Sequence, residues 1–510
     1  MLKRNLVANY LGQIWAAVMG FAFIPLYIKY LGIEAYGLIG LFALFQSWLA
    51  LFDIGMKPTL NREMARFTGG IHTVASIRDL LRSIEVVMFS VALSIAAGVG
   101  FASTWLASSW VRAESLPISV VAQAILIMGL MTALQFVEGI YSSSLVGLQR
   151  QVLLNVIQSS MATLRGLGAI AILAWVLPTI QAFFLWQVFI CLTSLSILRI
   201  MTYASLPRGE RGGRFSISAL RGIWRFAGGM LALTLLSLLL TQVDKILLAK
   251  LLTLSEYGYY VLAGVVAGAI YLLTSPIAQA WYPRMSQLQA TGNTDALIHI
   301  YHQGAQLVSV IVGSAALVLI VYAETFLQIW TRDPSLAARV APLMSLLLLG
   351  NLLNALLWIP YQTQLAHGWT SLAVRINTVS VLFIVPAILW ITPHYGPIGA
   401  AWVWTTFNAC YVLIGIHFMH RRILIHEKWR WYSLDIVAPL LTSGLVVAGL
   451  RWALPRAESS LEQFATLALV SVLALLAAGL AADRVRSQAW AILRMRWNNR
   501  STRRHAMAPE

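Results

Sequence analysis

Fourteen apolar stretches, most of them about twenty residues long, divide this chain of 510 residues. A helix crossing about 30 Å of hydrocarbon needs about 20 apolar residues, because each adds about 1.5 Å. The pattern therefore predicts an all-α, polytopic membrane protein with about fourteen transmembrane helices. The stretches lie at 6–28, 38–56, 84–106, 119–141, 155–177, 182–203, 226–249, 259–280, 304–323, 343–360, 374–391, 398–417, 435–453 and 461–482. Composition agrees, with 59% hydrophobic and only 11% charged residues, where a soluble domain carries roughly 25% charged. Met1 to Arg4 and the apolar run after them look like a signal peptide. That run continues to Ile28, too long for one, so it reads as a retained first span. Cys191 and Cys410 both fall inside apolar stretches and form no disulfide framework.

The formal charge of +17 has a distribution that explains it. With the N-terminus in the cytoplasm, inner loops and termini hold 27 Lys and Arg and outer loops hold 6. That asymmetry is the positive-inside bias, and it predicts that both termini are cytoplasmic. It also makes nucleic acid an unnecessary partner.

The chain repeats itself. Lys29, Leu31, Tyr36 and Gly37 recur 221 positions later as Lys250, Leu252, Tyr257 and Gly258. Met64 with Met285 and Gly147 with Gly368 keep that shift. Pro178 with Pro397, Ala182 with Ala401 and Cys191 with Cys410 follow at 219, placing a short gap after Gly147. Two units of six spans enter the membrane the same way up, an arrangement transporters use. The expected divisions are a six-helix unit at 1–204, a basic cytoplasmic linker at 205–225 and a second six-helix unit at 226–430. Two additional helices at 431–483 and a basic tail at 484–510 complete the chain.

Polar residues inside spans are costly and therefore informative. In the seventh span, Thr234, Ser237, Thr241 and Asp244 form one helical stripe, with Lys245 four residues after Thr241. In the first span, Asn5, Asn9 and Gln13 do the same, and Gln13 aligns with Thr234. Both stripes are candidates to face a water-accessible cleft. For the hydroxyl residues alone, hydrogen bonding between helices is the stronger reading. Asp244 and Lys245 stand where the first copy has Phe23 and Ile24, so they are not part of the repeat. Arg165 lies near the middle of its span, where an arginine costs at least roughly 2.5–3.5 kcal/mol without water or a counter-charge. Its planar fork suits phosphate oxygens. Structural pairing with Glu138 is its alternative. Asn351 and Asn354 share a face of the tenth span with Trp358, a face suited to sugar contact or to packing. Asp53, before Gly55 and Pro58, reads as a helix-terminus residue. No phosphate-binding lysine loop and no His/Cys cluster occur, so neither an ATPase nor a metal site is expected.

Pro25 to Gly32, Glu34-Ala35-Tyr36-Gly37, Leu51 to Gly55, Gly147 to Arg150, and Asp244-Lys245 with Glu256-Tyr257-Gly258 occur in order. In these the chain resembles the polysaccharide transporters of the multidrug/oligosaccharidyl-lipid/polysaccharide exporter superfamily, over about 1–422. The O-antigen and exopolysaccharide flippases of the Wzx type are the nearest group. The resemblance implies a non-enzymatic flippase working by alternating access in a bacterial cytoplasmic membrane. Its substrate would be an undecaprenyl-diphosphate-linked oligosaccharide for lipopolysaccharide or exopolysaccharide synthesis. A polysaccharide polymerase and chain-length machinery would be its partners beside membrane lipids. It implies no cofactor, with coupling to a proton or sodium gradient in some members. Many Wzx-type proteins have twelve spans, so the last two helices are a departure, and fourteen is the count of lipid II flippases. A cation-coupled drug exporter would need an acid in its first span, and 5–28 has none. A membrane glycosyltransferase or polymerase would need a larger outer loop than 324–342.

Overall fold

The computed structural model describes residues 2–52, 56–207, 212–217, 221, 242, 244–369, 371–455, 459–488 and 490. Among these, structure is helical apart from loops and one isolated bridge between Arg112 and Thr253. Eleven described helical segments are long and apolar enough to cross a membrane. One of them, Ser371–His420, takes in two predicted spans, which separate at Gly396 with φ 60°. Of the seventh predicted span, 226–249, only 242 and 244–249 are among the described residues. The chain forms two compact units, Met1–Gly258 and Tyr259–Glu510.

In the first unit, α1 (Leu2–Ala22) turns at Phe23 into α2 (Ile24–Phe52). α2 breaks at Gly32, whose φ of 81° suits glycine. The short α3 (Met56–Thr68) lies at one end of the bundle. α4 (Val74–Trp105) starts at Thr73, whose hydroxyl accepts from the Ser76 N–H. α5 (Ile118–Gly147), α6 (Gln151–Trp175) and α7 (Ile180–Ser205) follow. α5 is the central helix and packs against α3, α4 and α7. Leu60, Met64, Ile84, Met88, Phe136, Tyr141 and Leu198 form the core there.

The α3 end is also the basic end. Glu63 takes Arg62, Arg66 and His72 at 2.7–3.1 Å. Glu85 takes Arg82 and the hydroxyls of Tyr141 and Tyr203 at 2.8–3.0 Å. The described part of the linker runs along α4. Asp79 accepts from the Arg214 N–H at 2.7 Å, and Ser83 from the Ser216 N–H at 2.8 Å.

At the other end the two copies of the repeated motif meet within this unit. A Cβ on Gly37 would overlap the Leu254 carbonyl oxygen, and one on Gly258 would come within 2.5 Å of the Ile33 carbonyl oxygen. Ile33 and Leu254 are themselves 221 positions apart, so the contact is reciprocal. Each copy offers its glycine to the same point of the other, as a two-fold axis between them requires. Glu34 closes this end by accepting N–H bonds from Glu114, Ser115 and Leu116, and the Ser115 hydroxyl.

The second unit continues α8 (Leu254–Gly268) through α9 (Tyr271–Ala290) and α10 (Thr294–Val308). The helices α11 (Ser314–Val321), α12 (Ala323–Thr331), α13 (Pro334–Leu356), α14 (Trp358–Ala366) and α15 (Ser371–Cys410) come next. The last pair, α16 (Ala438–Ala453) and α17 (Ser460–Ala481), packs together and against α11.

Helix ends correct the register of the repeat. Gly70 and Gly292, 222 positions apart, both have positive φ and end a helix with matching backbone bonds. Gln149 and Gly368, 219 apart, do the same, with Arg150 N–H donating to Leu145 and Trp369 N–H to Gln364, each at 2.9 Å. The equivalent of Gly368 is therefore Gln149, not Gly147, and the gap falls between 70 and 149. Gly147 is small for another reason, since a Cβ there would collide with α3 at Asn61 and Met64.

Gly37→Ala should destabilise the protein by about 1–3 kcal/mol, because the Leu254 backbone must move. Gly98→Ala, where a Cβ meets nothing within 4 Å, should not, and thermal unfolding in detergent compares them. Burial pushes the Glu63 carboxyl up, but the hydrogen bonds from Arg62 and His72 and the charges of Arg66 and Arg62 outweigh it and hold it below the usual carboxylate range. Its stabilisation is complete above the unfolded value of about 4.3 and is lost as pH falls through the depressed one. Glu63→Gln should lower thermal stability at neutral pH and flatten its decline in acid.

Candidate functional site

The first unit holds a charged centre between α2, α5, α6 and α7. Small residues on α6 make room for it. Gly166 admits the Phe23 ring, and Gly168 admits Trp186, whose indole N–H donates to the Arg165 carbonyl at 3.3 Å. Between them lies the half-buried Arg165, whose charge acts on Tyr27, Glu138 and Cys191. Its Nε is buried and has no hydrogen-bond partner. Glu138 accepts instead from the Ser194 hydroxyl at 2.8 Å. Among the described residues no ion pair closes between Arg165 and Glu138, so the structural pairing considered for them is not formed. Lys57 enters from the start of α3. Its stem lies against Gly139, its ammonium sits 5.3 Å from the Phe136 ring centroid, and its charge acts on Glu138. A neutral rim continues the centre, with Gln46 donating to Gln135 at 2.6 Å and Gln135 to Cys191 at 3.6 Å.

These groups lie deep. Arg165 is fourteen residues along α6 from Gln151, and Cys191 fourteen before the end of α7 at Ser205. That is about 21 Å from the basic end. Glu138, nine residues before Gly147, lies at about 14 Å. The centre thus has two cations and one acid, and the acid already has a donor. A guanidinium with an unfilled N–H is equipped to accept a further anion. The second copy lacks these charges: Ala278, Leu357 and Ile384 stand at the positions of Lys57, Glu138 and Arg165.

The other predicted residues divide clearly. Asn9 donates to the Gln151 side chain at 2.8 Å and accepts from Asn155 at 2.6 Å, which ties α1 to α6. Gln13 is exposed. Thr241, like Thr234, Ser237 and Asp53, lies outside the described residues. Lys245 is exposed and donates to Gln242 at 3.2 Å, whereas Asp244 is half-buried and acts on Tyr257. Neither joins the Arg165 centre.

Asn351 and Asn354 are committed to packing in the second unit. Asn351 accepts from Trp404 at 2.9 Å and from the Tyr271 hydroxyl at 3.2 Å. Asn354 donates to the fully buried Asn408 at 2.9 Å and also accepts from Tyr271. Trp358 stacks on Tyr271 with ring centroids 5.8 Å apart.

Sequence reasoning did not single out Lys57, which looks like one more inner-loop cation. The signal that could have found it is Gly139, a small residue one position beyond the intramembrane Glu138.

Comparison with known proteins places this architecture. The family described as "Polysaccharide biosynthesis protein" matches residues 2–289. The chain is 19% identical over 407 residues to a Shigella flexneri protein named "Putative O-antigen transporter", covering 79% of this chain and 94% of that one. Its fold is similar to that of a lipid II flippase, MurJ, in an inward closed conformation, with TM-score 0.67 and 13% identity over 93% of this chain and 97% of that one. It is also similar to an inward-facing multidrug resistance transporter of the MATE family, with TM-score 0.62 and 13% identity over 83% and 96%. By the extent of the family match the chain belongs to the polysaccharide biosynthesis protein family, and its many long apolar helices make it a multi-pass membrane protein.

Proposed function

We propose that this transporter flips an undecaprenyl-diphosphate-linked oligosaccharide from the inner to the outer leaflet of a bacterial cytoplasmic membrane, for O-antigen or exopolysaccharide assembly. The observation that carries this reading is the buried, unfilled Nε–H of Arg165 in a centre with a second cation, Lys57. A diphosphate is the most costly part of such a lipid to bring into hydrocarbon. Fixed cations lower that cost, and a guanidinium can grip two phosphate oxygens at once. The choice of an oligosaccharide rests on the family and on the O-antigen transporter relative. The basic ends, which carry Arg62, Arg66 and Arg82 in one unit and Arg421, Arg422 and Arg430 in the other, face the cytoplasm in this reading. The flipped lipid would pass to a polymerase and its chain-length partners. Lys245 is a second contact, exposed near the opposite end of the first unit, with Asp244 as its neighbour.

In proteoliposomes loaded with the lipid-linked oligosaccharide, Arg165→Ala should slow flipping about tenfold to a hundredfold. That is the loss of one charge-assisted hydrogen bond of about 1.5–3 kcal/mol. Arg165→Lys should recover part of the rate, and Lys245→Ala should lower it with normal membrane insertion. Unchanged flipping in both alanine variants would remove the cationic mechanism. Asn354→Ala should behave differently. It leaves the buried Asn408 carbonyl oxygen unpaired, so the expected result is a loss of about 1–3 kcal/mol in detergent stability, with flipping retained per folded molecule.

A further inference from the structure

The last two helices are fastened to α10 by polar side chains at the basic end of the second unit. α10 presents His302 and Gln306 one turn apart. His302 is fully buried, with Nδ1 2.5 Å from Asp435 Oδ2 and Nε2 2.8 Å from Glu427 Oε2. Gln306 donates to Asp435 at 3.0 Å and to Asp483 at 2.5 Å, and its oxygen accepts from the Arg484 N–H at 2.9 Å. Asp435 sits in the π-helical turn Trp431–Val437 that leads into α16, Glu427 in the loop before it, and Asp483 directly after α17.

The hydrogen count of this cluster is decisive. An ionised carboxylate only accepts, and a neutral imidazole has one N–H and one lone pair. Carboxylate oxygens on both ring nitrogens therefore need one hydrogen more, held either as imidazolium or as a carboxylic acid. We infer that His302, Asp435 and Glu427 form a binding site for a single proton, and that the bound proton holds the loop before α16 onto α10. When the proton leaves, a ring lone pair faces a carboxylate lone pair, and one contact must open. Glu427 is the partner that opens. Its side chain is 19% exposed, whereas Asp435 is 0% exposed and keeps Gln306 as a second donor.

The surrounding charges are consistent with a proton held on these three groups. Arg430 lies 3.9 Å from Glu427 and is placed to receive it on release. Lys428 turns away to His417 at 2.8 Å, and Tyr301 bonds His420 at 3.2 Å. His299, also on α10, feels Arg484, Arg430 and Asp483. Burial pushes the Asp483 carboxyl up, but Gln306, the Arg484 N–H and the charges of Arg484 and Arg430 hold it below the usual range, so it stays ionised. From α9 and α14 the side chains against Gly304 of α10 are Trp281 and Ile359, which do not titrate.

Hydrogen exchange by mass spectrometry on the full chain in detergent tests this without any transport substrate, so its outcome is independent of the flippase reading. Peptides covering 421–437 are followed at about pH 5.5 and 8.5, a range that brackets histidine titration, with correction for intrinsic exchange. Wild type should lose protection about tenfold or more at the higher pH, while peptides from α5 do not. Glu427→Gln should stay protected at both values, because its amide N–H can donate to the neutral ring. His302→Phe, which offers neither carboxylate an N–H, should be unprotected at both. Equal wild-type protection at the two values, or a wild-type pH response in Glu427→Gln, would overturn the proton site.

Discussion

Hydrocarbon offers no hydrogen bonds, and that absence separates the amide networks of the described spans from Arg165. A polar group inside a span must find a protein partner, meet water, or wait for a ligand. Asn9, Asn155 and Gln151 satisfy one another across α1 and α6. Asn351, Asn354 and Asn408 do the same with Tyr271 and Trp404. Arg165 does not complete its set: its carbonyl is used by Trp186, its charge reaches Glu138, and its Nε–H stays unfilled. Satisfied groups hold helices together, and Arg165, unsatisfied at Nε within a span, is the cation the proposed function assigns to cargo.

The internal repeat separates the same two classes by a different route. Residues shared by both copies serve the fold: Gly37 and Gly258 admit a carbonyl from the other copy, and Met64 and Met285 are both fully buried. Residues present in only one copy are free to serve a task particular to it. Lys57, Glu138 and Arg165 meet apolar residues at their equivalents. The basic ends differ likewise. In the first unit Glu85 is held by Arg82, whose charge does not change at physiological pH, and by two tyrosines. In the second unit His302 stands between its acids, and histidine is the side chain whose charge changes in that range.

Much of the fold was legible because spans and repeats are local patterns read along the chain. Arg165 was legible because a charge in the middle of an apolar run is conspicuous whatever surrounds it. Its companions were not. Lys57 and Glu138 lie 81 positions apart, and only the packing of α3 on α5 brings them together. The Asn9 stripe was read as facing a cleft because spacing shows which residues share a face, not what lies opposite it. The misplaced gap has a similar origin. Matching glycine to glycine paired Gly147 with Gly368, but the left-handed conformation is a property of the backbone, and Gln149 adopts it without glycine.

The His302 cluster was the least legible because its partners are 125 and 133 positions away, and each looks alone like an ordinary loop or helix-end residue. Its placement bears on why the last two helices stay attached at all. In lipid, apolar surface gains nothing from leaving water, so helices there are held by close packing and by polar contacts. α16 and α17 have a modest packed seam, with Val447, Val470 and Ala474 against Val318 and Tyr322, and Ala478 and Ala482 against Val310. Asp435 and Asp483 add the directional part of the attachment, and both converge on one amide, Gln306. Loss of the bound proton releases Glu427 from His302 and leaves both of these Gln306 contacts in place. The proton thus governs the loop before α16, while the Gln306 amide keeps the terminal pair on α10 in either protonation state.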